Sequence, residues 1–244
     1  MNGFVKILKI ESKLFLRDTA VMISAIALPA MILLILGAIP ALRAPDDIFD
    51  GHSFVDVFAP SLLVMTLTML GLNALPNALA TYRERGILRR LSTTPAAPAA
   101  LLAAQLVINV AVAVAGAVLL LAIGRLAFDI PLPTHPLGFA VAFILGAASL
   151  FALGLLVAAL ARSARAASGV SAGLGALVMF LGGVYLPRFL LPDFLVRIGN
   201  VTPPGIQALQ DAWTGTSPKV LPLAIMAAVA IVAGGMAARF FRWE

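Results

Sequence analysis

The chain has 244 residues, 61% of them apolar and only 11% charged, with a net charge of +6 and no cysteine. A soluble domain is about half apolar and a quarter charged, so a water-soluble fold is excluded. The missing cysteine also removes disulfides and thiolate metal sites.

The N-terminal stretch from Phe4 to Arg17 is the first predicted element. Phe4, Ile7, Leu8, Glu11 and Phe15 share one helical side of mainly apolar character, with Lys6, Lys9, Lys13 and Arg17 elsewhere on the wheel. Residues 1–18 are therefore expected to form an amphipathic helix lying in the membrane interface, its cations toward anionic headgroups. A plain topology anchor is the simpler reading; a helix that also rests against a cytoplasmic partner is the functional one.

Six apolar windows follow, at about residues 20–39, 58–80, 99–124, 137–161, 169–186 and 220–238. Each is long enough to cross about 30 Å of hydrocarbon at about 1.5 Å per residue. The first is preceded by too long a stretch, and is itself too long, to suit a cleaved signal peptide. Pro29 and Pro76 fall inside windows one and two, which requires neighbours to re-satisfy the freed carbonyls. Window five is the shortest and richest in glycine, and its Gly169-Val-Ser-Ala-Gly-Leu-Gly stretch suits close helix packing.

Charge orients the spans. Lys6, Lys9, Lys13, Arg17, Arg83, Arg85, Arg89, Arg90, Arg162, Arg165, Arg239 and Arg242 lie on one side. Arg43, Arg125, Arg188, Arg197 and Lys219 lie on the other, with Asp46, Asp47, Asp50, Asp56, Asp129, Asp193 and Asp211. The positive-inside rule then places both termini in the cytoplasm, as an even number of spans requires. The basic balance is a topology signal and does not call for a nucleic acid.

Between spans two and three, residues 81–98 combine arginines with Ile87, Leu88 and Leu91, punctuated by Gly86 and Pro95. A positive-inside stop signal explains the arginines but not the apolar stripe, so this loop is expected to be a short helix that docks on a cytoplasmic partner. On the outer side, residues 187–219 keep Phe189, Leu190, Leu191, Phe194, Leu195, Val196 and Ile198. We expect two short helical elements dipping into the outer leaflet, broken at Pro192 and Pro203-Pro204, with Asp193 and Arg197 placed to pair.

Polar residues within the spans are few: Thr66, Thr68, Asn73, Asn77, Gln105, Asn109 and Ser149. Hydrogen bonds between helices are the bland reading. A polar spot on a substrate path is the sharper one, with Met65, Thr66, Met69, Asn73, Met179 and Phe180 as its candidate wall. His52 and His135 lack neighbours that would make a metal site.

The run Tyr82-Arg-Glu-Arg-Gly-Ile-Leu-Arg-Arg-Leu-Ser-Thr-Thr-Pro95 resembles the E-R-G-x-L-x-x-L-x-x-T-P segment of ABC-2 type transporter permeases. Phe180-Leu-Gly-Gly-Val-Tyr-Leu-Pro187, followed by Leu191-Pro192, Leu195, Ile198 and Pro203-Pro204, is similar to the pattern after that family's fifth span. Gly182-Gly183 stands where many members have Ser-Gly. The resemblance implies an all-α integral membrane fold: six transmembrane helices, an N-terminal interfacial helix, a cytoplasmic coupling helix and a re-entrant segment before the last span. It implies that Glu84, Arg85, Gly86, Leu88, Arg89 and Arg90 form the coupling contact with a separate nucleotide-binding subunit. That partner would bind ATP and Mg, and this chain would hold no cofactor of its own. Spans two and five would line the path at a seam with a second permease copy, and the outer segment would cap it.

No G-x-x-x-x-G-K-[ST] occurs, so the chain has no phosphate-cradling loop. An integral-membrane enzyme would need a catalytic constellation, and an ion-coupled transporter a buried acid or half-helices at the midplane. The spans show neither an ionisable interior nor paired acids, and the two prolines are the faint hint of broken helices. The expected function is therefore export of a small hydrophobic or amphipathic compound across a bacterial plasma membrane, with a polysaccharide or lipid-linked glycan as the alternative cargo.

Overall fold

A computed structural model describes residues 3–49, 51–92 and 98–241. The end of the first loop (residues 93–97), the side chain of Leu91, and Asp50 and Arg242 lie outside the described residues. The described chain is helical, and six helices are long and apolar enough to cross a membrane. This is an all-α integral membrane protein.

Helix α1 (Gly3–Arg17) is amphipathic and buries Glu11 and Phe15. The spans are α2 (Thr19–Ala38), α3 (Phe54–Glu84), α5 (Ala99–Phe128), α6 (Pro136–Leu160), α7 (Ala164–Leu181) and α10 (Val220–Phe240). Between α3 and α5 lies the short α4 (Ile87–Ser92), and between α7 and α10 lie α8 (Asp193–Val201) and α9 (Ile206–Thr214). The end of the bundle that carries α4, the end of α6 and the start of α7 is called here the basic end.

Pro29 in α2 and Pro76 in α3 each follow a π turn, whereas Pro60 sits in the second turn of α3. Ile23–Ala27 precedes Pro29 in α2, and Met69–Ala74 precedes Pro76 in α3. Proline lacks the N–H that closes an α-helical bond and crowds the preceding turn; widening that turn lets the carbonyls find other donors without breaking the helix. Both spans thus remain continuous.

Helix α3 is the centre of the bundle. Of its membrane stretch 83% is buried inside the protein, against 22–50% for the other spans. Its N-terminus is fixed by a capping box, in which Ser53 Oγ accepts from the Asp56 amide (3.2 Å) and Asp56 Oδ2 accepts from the Ser53 amide (2.9 Å). Around it pack α2, α5, α6, α7 and α9, while α10 packs on the outer flank of α6.

The closest approach is between α3 and α6. A Cβ added at Gly154 would lie 1.9 Å from the Gly71 carbonyl oxygen, so the two backbones touch where neither residue has a side chain. Gly146 of α6 similarly receives the Pro204 carbonyl, 2.6 Å from where its Cβ would stand. Leu62, Leu63, Leu67, Leu70, Leu72, Leu75 and Leu150 fill the space around these contacts.

Helix α7 begins and ends about five residues earlier than hydropathy suggests. Ser163 caps its start by accepting from the Ala166 amide (3.1 Å), although Arg165 then falls in the first turn. Gly183 ends it at φ +76°, and the Val184 amide returns to the Met179 carbonyl (2.9 Å). Val184, Tyr185 and Leu186 are apolar but lie past this stop.

Asp193 and Arg197 do not pair; among the described residues the ion pair that forms is Arg125–Asp129 (3.8 Å). Nor do the hydroxyls of Thr66, Thr68 and Ser149 link helices. Thr66, Thr68 and Ser149 donate back to Leu62, Val64 and Gly146 carbonyls of their own helices, and the Asn109 amide to that of Gln105. A short polar side chain reaches its own preceding turn more readily than a neighbouring helix.

Replacing Gly154 by Ala is expected to lower stability by about 1–3 kcal/mol, as overpacking does. Gly235→Ala, at a position with no atom within 4 Å of the added Cβ, is expected to be neutral. Thermal unfolding of the two variants in one detergent checks the contrast.

Candidate functional site

At the basic end, the last turn of α3 sends three consecutive side chains to three other helices, and a fourth joins through Glu11. The Tyr82 hydroxyl donates to Glu11 Oε2 on α1 (2.7 Å), and the same oxygen accepts from Gln105 Nε2 on α5 (2.6 Å). Arg83 donates to the Ala158 carbonyl (3.1 Å) and to the Ala161 carbonyl, at the C-terminus of α6. Glu84 Oε1 accepts from the Ala164 amide (2.6 Å), at the N-terminus of α7. A cation thus meets the negative end of one helix dipole and an anion the positive end of the next.

Arg85 ends α3, and Gly86 turns the chain at φ +65°, where a side chain would strain the backbone. Helix α4 then folds back with Leu88 buried (1% exposed) and Ile87 half-buried, while Arg89 and Arg90 face outward. Arg90 also donates to the Arg85 carbonyl (3.0 Å), tightening the turn. Of the six residues expected at the partner contact, Arg85, Arg89 and Arg90 are therefore exposed, Gly86 shapes the turn, Leu88 anchors it, and Glu84 is engaged within the chain.

In the sequence Arg83 reads as a topology charge and Glu11 lies on a mainly apolar face. The signal available was the acid itself: Glu11 is the lone carboxylate of α1, among four cations, and it lies on the side that becomes buried.

The candidate path residues are distributed over α3 and α7. Met65, Thr66 and Met179 are buried, whereas Met69, Asn73 and Phe180 are half-buried. The Asn73 amide lies 3.3 Å from where a Gly175 Cβ would stand on α7, and reaches Met69 Sδ only weakly (4.0 Å). The Thr66 methyl instead approaches Gly116 of α5. The structure thus groups Asn73 with α7 and turns Thr66 away from it. The Oδ1 of Asn77 is buried without a hydrogen-bond partner.

At the opposite end, Arg188 ties the outer segment together by donating to Asn200 of α8 and Gln210 of α9. Gln210 in turn donates to the Val57 carbonyl in the first turns of α3 (3.2 Å). Burial lowers the Arg188 pKa, opposed by Asp211; burial raises that of Asp211, opposed by Lys219 and Arg188. Phe49, Phe54, Phe58 and Phe189 cluster beside Arg188 around a cavity of about 110 Å³. Helix α9 is the buried half of this cap, through Ile206, Leu209 and Trp213, and α8 the exposed half, with Phe194 and Ile198 outward. His135 serves structure, its Nε2 lying 3.2 Å from the Gly215 carbonyl.

A family model described as ABC-2 type transporter matches residues 3–204, from α1 through the Pro203-Pro204 turn. No curated protein matches the chain.

Glu84→Gln is expected to weaken the α7 cap by about 0.5–2 kcal/mol. Amide exchange at Ala164 should accelerate accordingly, about ten-fold for each 1.4 kcal/mol lost, while Ala147 in the middle of α6 stays protected.

Proposed function

The chain belongs to the ABC-2 type transporter family, and on that premise we propose that it is the membrane subunit of an ATP-driven exporter powered by a separate nucleotide-binding subunit. The observation that carries this reading is the last turn of α3, where Tyr82, Arg83 and Glu84 bind α1, α6 and α7 together, with α5 joined through Glu11, immediately before α4.

An engine outside the membrane can act on a transport path only through a stiff element continuous with the spans. Helix α4 is too short to be stiff alone, but the tight turn at Gly86 joins it to a 31-residue helix. The exposed Arg85, Arg89 and Arg90 offer the motor charged contacts, and the buried Leu88 transmits the force inward. A push on α4 becomes a movement of α3, and the paired caps of Arg83 and Glu84 carry the ends of α6 and α7 with it. Glu84 acts in this scheme from within the subunit.

The partner binds ATP and Mg, since this chain has no phosphate loop. Two copies of the permease, or this chain and a related one, enclose the path, because the single bundle places its most buried helix at the centre. Met69, Asn73 and Phe180, half-buried on α3 and α7, are its accessible wall, backed by Met65, Thr66 and Met179. A soft, largely apolar wall suits a small hydrophobic or amphipathic compound such as a drug, antibiotic or lipid-like molecule, moved outward across a bacterial plasma membrane with both termini on the ATP side.

The test is ATP turnover by the partner ATPase, measured with and without the permease in the same vesicles. Charge reversal by Arg89→Glu, or straining the turn by Gly86→Val, is expected to reduce permease-dependent turnover about ten-fold, the effect of losing about 1.4 kcal/mol of coupling. The level of the chain in the membrane should hold. Turnover indifferent to the presence of this chain sinks the reading.

A further inference from the structure

Glu11 is 7% exposed and forms no ion pair with any described residue. Its two hydrogen bonds, from the Tyr82 hydroxyl and the Gln105 amide, come from neutral donors and converge on one oxygen, Oε2. Among the described residues nothing donates to Oε1. Neutral donors compensate part of the cost of burying a carboxylate but leave its charge unopposed, which in a low-dielectric site is expensive. The lysines of α1 do not relieve this, since they lie on its other faces.

The same carboxylate lines a cavity of about 100 Å³ between α1, the start of α2, α3 and α5. Water occupies about 30 Å³ per molecule, so the space holds about three waters or one alkylammonium head. Its remaining walls are Leu14, Phe15, Val21, Ala74 and Ala78, with Tyr82 and Gln105 beside the acid and Asp18 at the rim. Asp18 is exposed and already caps α2, accepting from the Val21 amide (3.2 Å). Glu11 Oε1 and one oxygen of the rim residue Asp18 do not meet a divalent cation's need for six or more oxygens. The cavity does meet the needs of a single organic cation whose tail is apolar. Leu14 and Leu16 are exposed on α1 beside the opening, as an interfacial helix requires, so the cavity opens at membrane level.

We propose that this cavity binds the primary ammonium head of an amphiphile residing in the membrane layer at the basic end, with Glu11 Oε1 accepting from the ammonium and the Phe15 and Tyr82 rings flanking it. The site supplies the one charge the buried acid lacks. An amine-bearing lipid and a free long-chain amine share this chemistry.

The test uses the full chain alone in phosphatidylcholine nanodiscs, so its outcome is separate from ATP coupling. Dodecylamine is the probe, dodecanol and dodecyl sulfate the controls, and native mass spectrometry counts what stays bound. One equivalent of dodecylamine is expected to be retained at least about ten-fold more tightly than dodecanol. Glu11→Gln should erase that preference. Ala78→Leu, which fills the cavity and leaves the acid and its donors in place, should erase it too. Nanodiscs containing phosphatidylethanolamine distinguish the source: preferential retention of that lipid assigns the site to a lipid head, and its absence with dodecylamine bound assigns it to a free amine. Dodecylamine held no better than dodecanol, or held equally by the parent chain and Ala78→Leu, overturns the proposal.

Discussion

The touching backbones of Gly71 and Gly154 set the geometry of the bundle. In lipid there is no hydrophobic force between helices, so association depends on packing, and packing is tightest where side chains are absent. By bringing α6 directly against the π turn of α3, this contact makes α3 the axis of the molecule. Once α3 is enclosed, its two ends are the places where the remaining segments can be attached. The Val57 carbonyl receives the outer cap at one end; Tyr82, Arg83 and Glu84 receive α1, α6 and α7 at the other.

Those end contacts are polar, and their strength comes from where they lie. Helix termini leave carbonyls and amides unsatisfied, and near a membrane these cannot all turn to water. Arg83 and Glu84 meet this need at the turn between α6 and α7, so a local capping requirement also joins three spans mechanically. Arg188 does similar work at the far end, fastening two short helices to each other. A transporter needs rigid parts joined at few points, and this arrangement supplies rigid spans with hydrogen-bonded joints at their ends.

Helix α1 stands apart because it lies at the surface yet contributes a buried acid. Its attachment to Tyr82 and Gln105 places it one residue from the α6 joint, so movement of α3 would be felt at the membrane interface as well as along the path. The ammonium site inferred beside Glu11 occupies that junction. Occupancy there would bear on the same turn that the motor is proposed to move.

The six spans, the interfacial helix, the short helix before span three and the two outer helices were all legible in the sequence, because each reflects a property of contiguous residues. Apolar length decides what crosses a bilayer, a periodic stripe decides what lies on it, and proline and glycine punctuate both. Which residues meet across helices was not legible. Each π turn inserts about one residue, or about 100° of rotation, so positions before Met69–Ala74 and positions within it do not keep a common face; Thr66 turns to α5 and Asn73, inside the π segment, to α7. Glu84 and Arg83 read as surface charges until α6 and α7 placed their termini within reach, and Asp193 and Arg197 had the right spacing without forming a pair. The sequence alone determined the elements, since hydropathy and capping act within a few turns; the tertiary structure decided the joints and the site, since these depend on helix rotation and on the approach that two glycines allow.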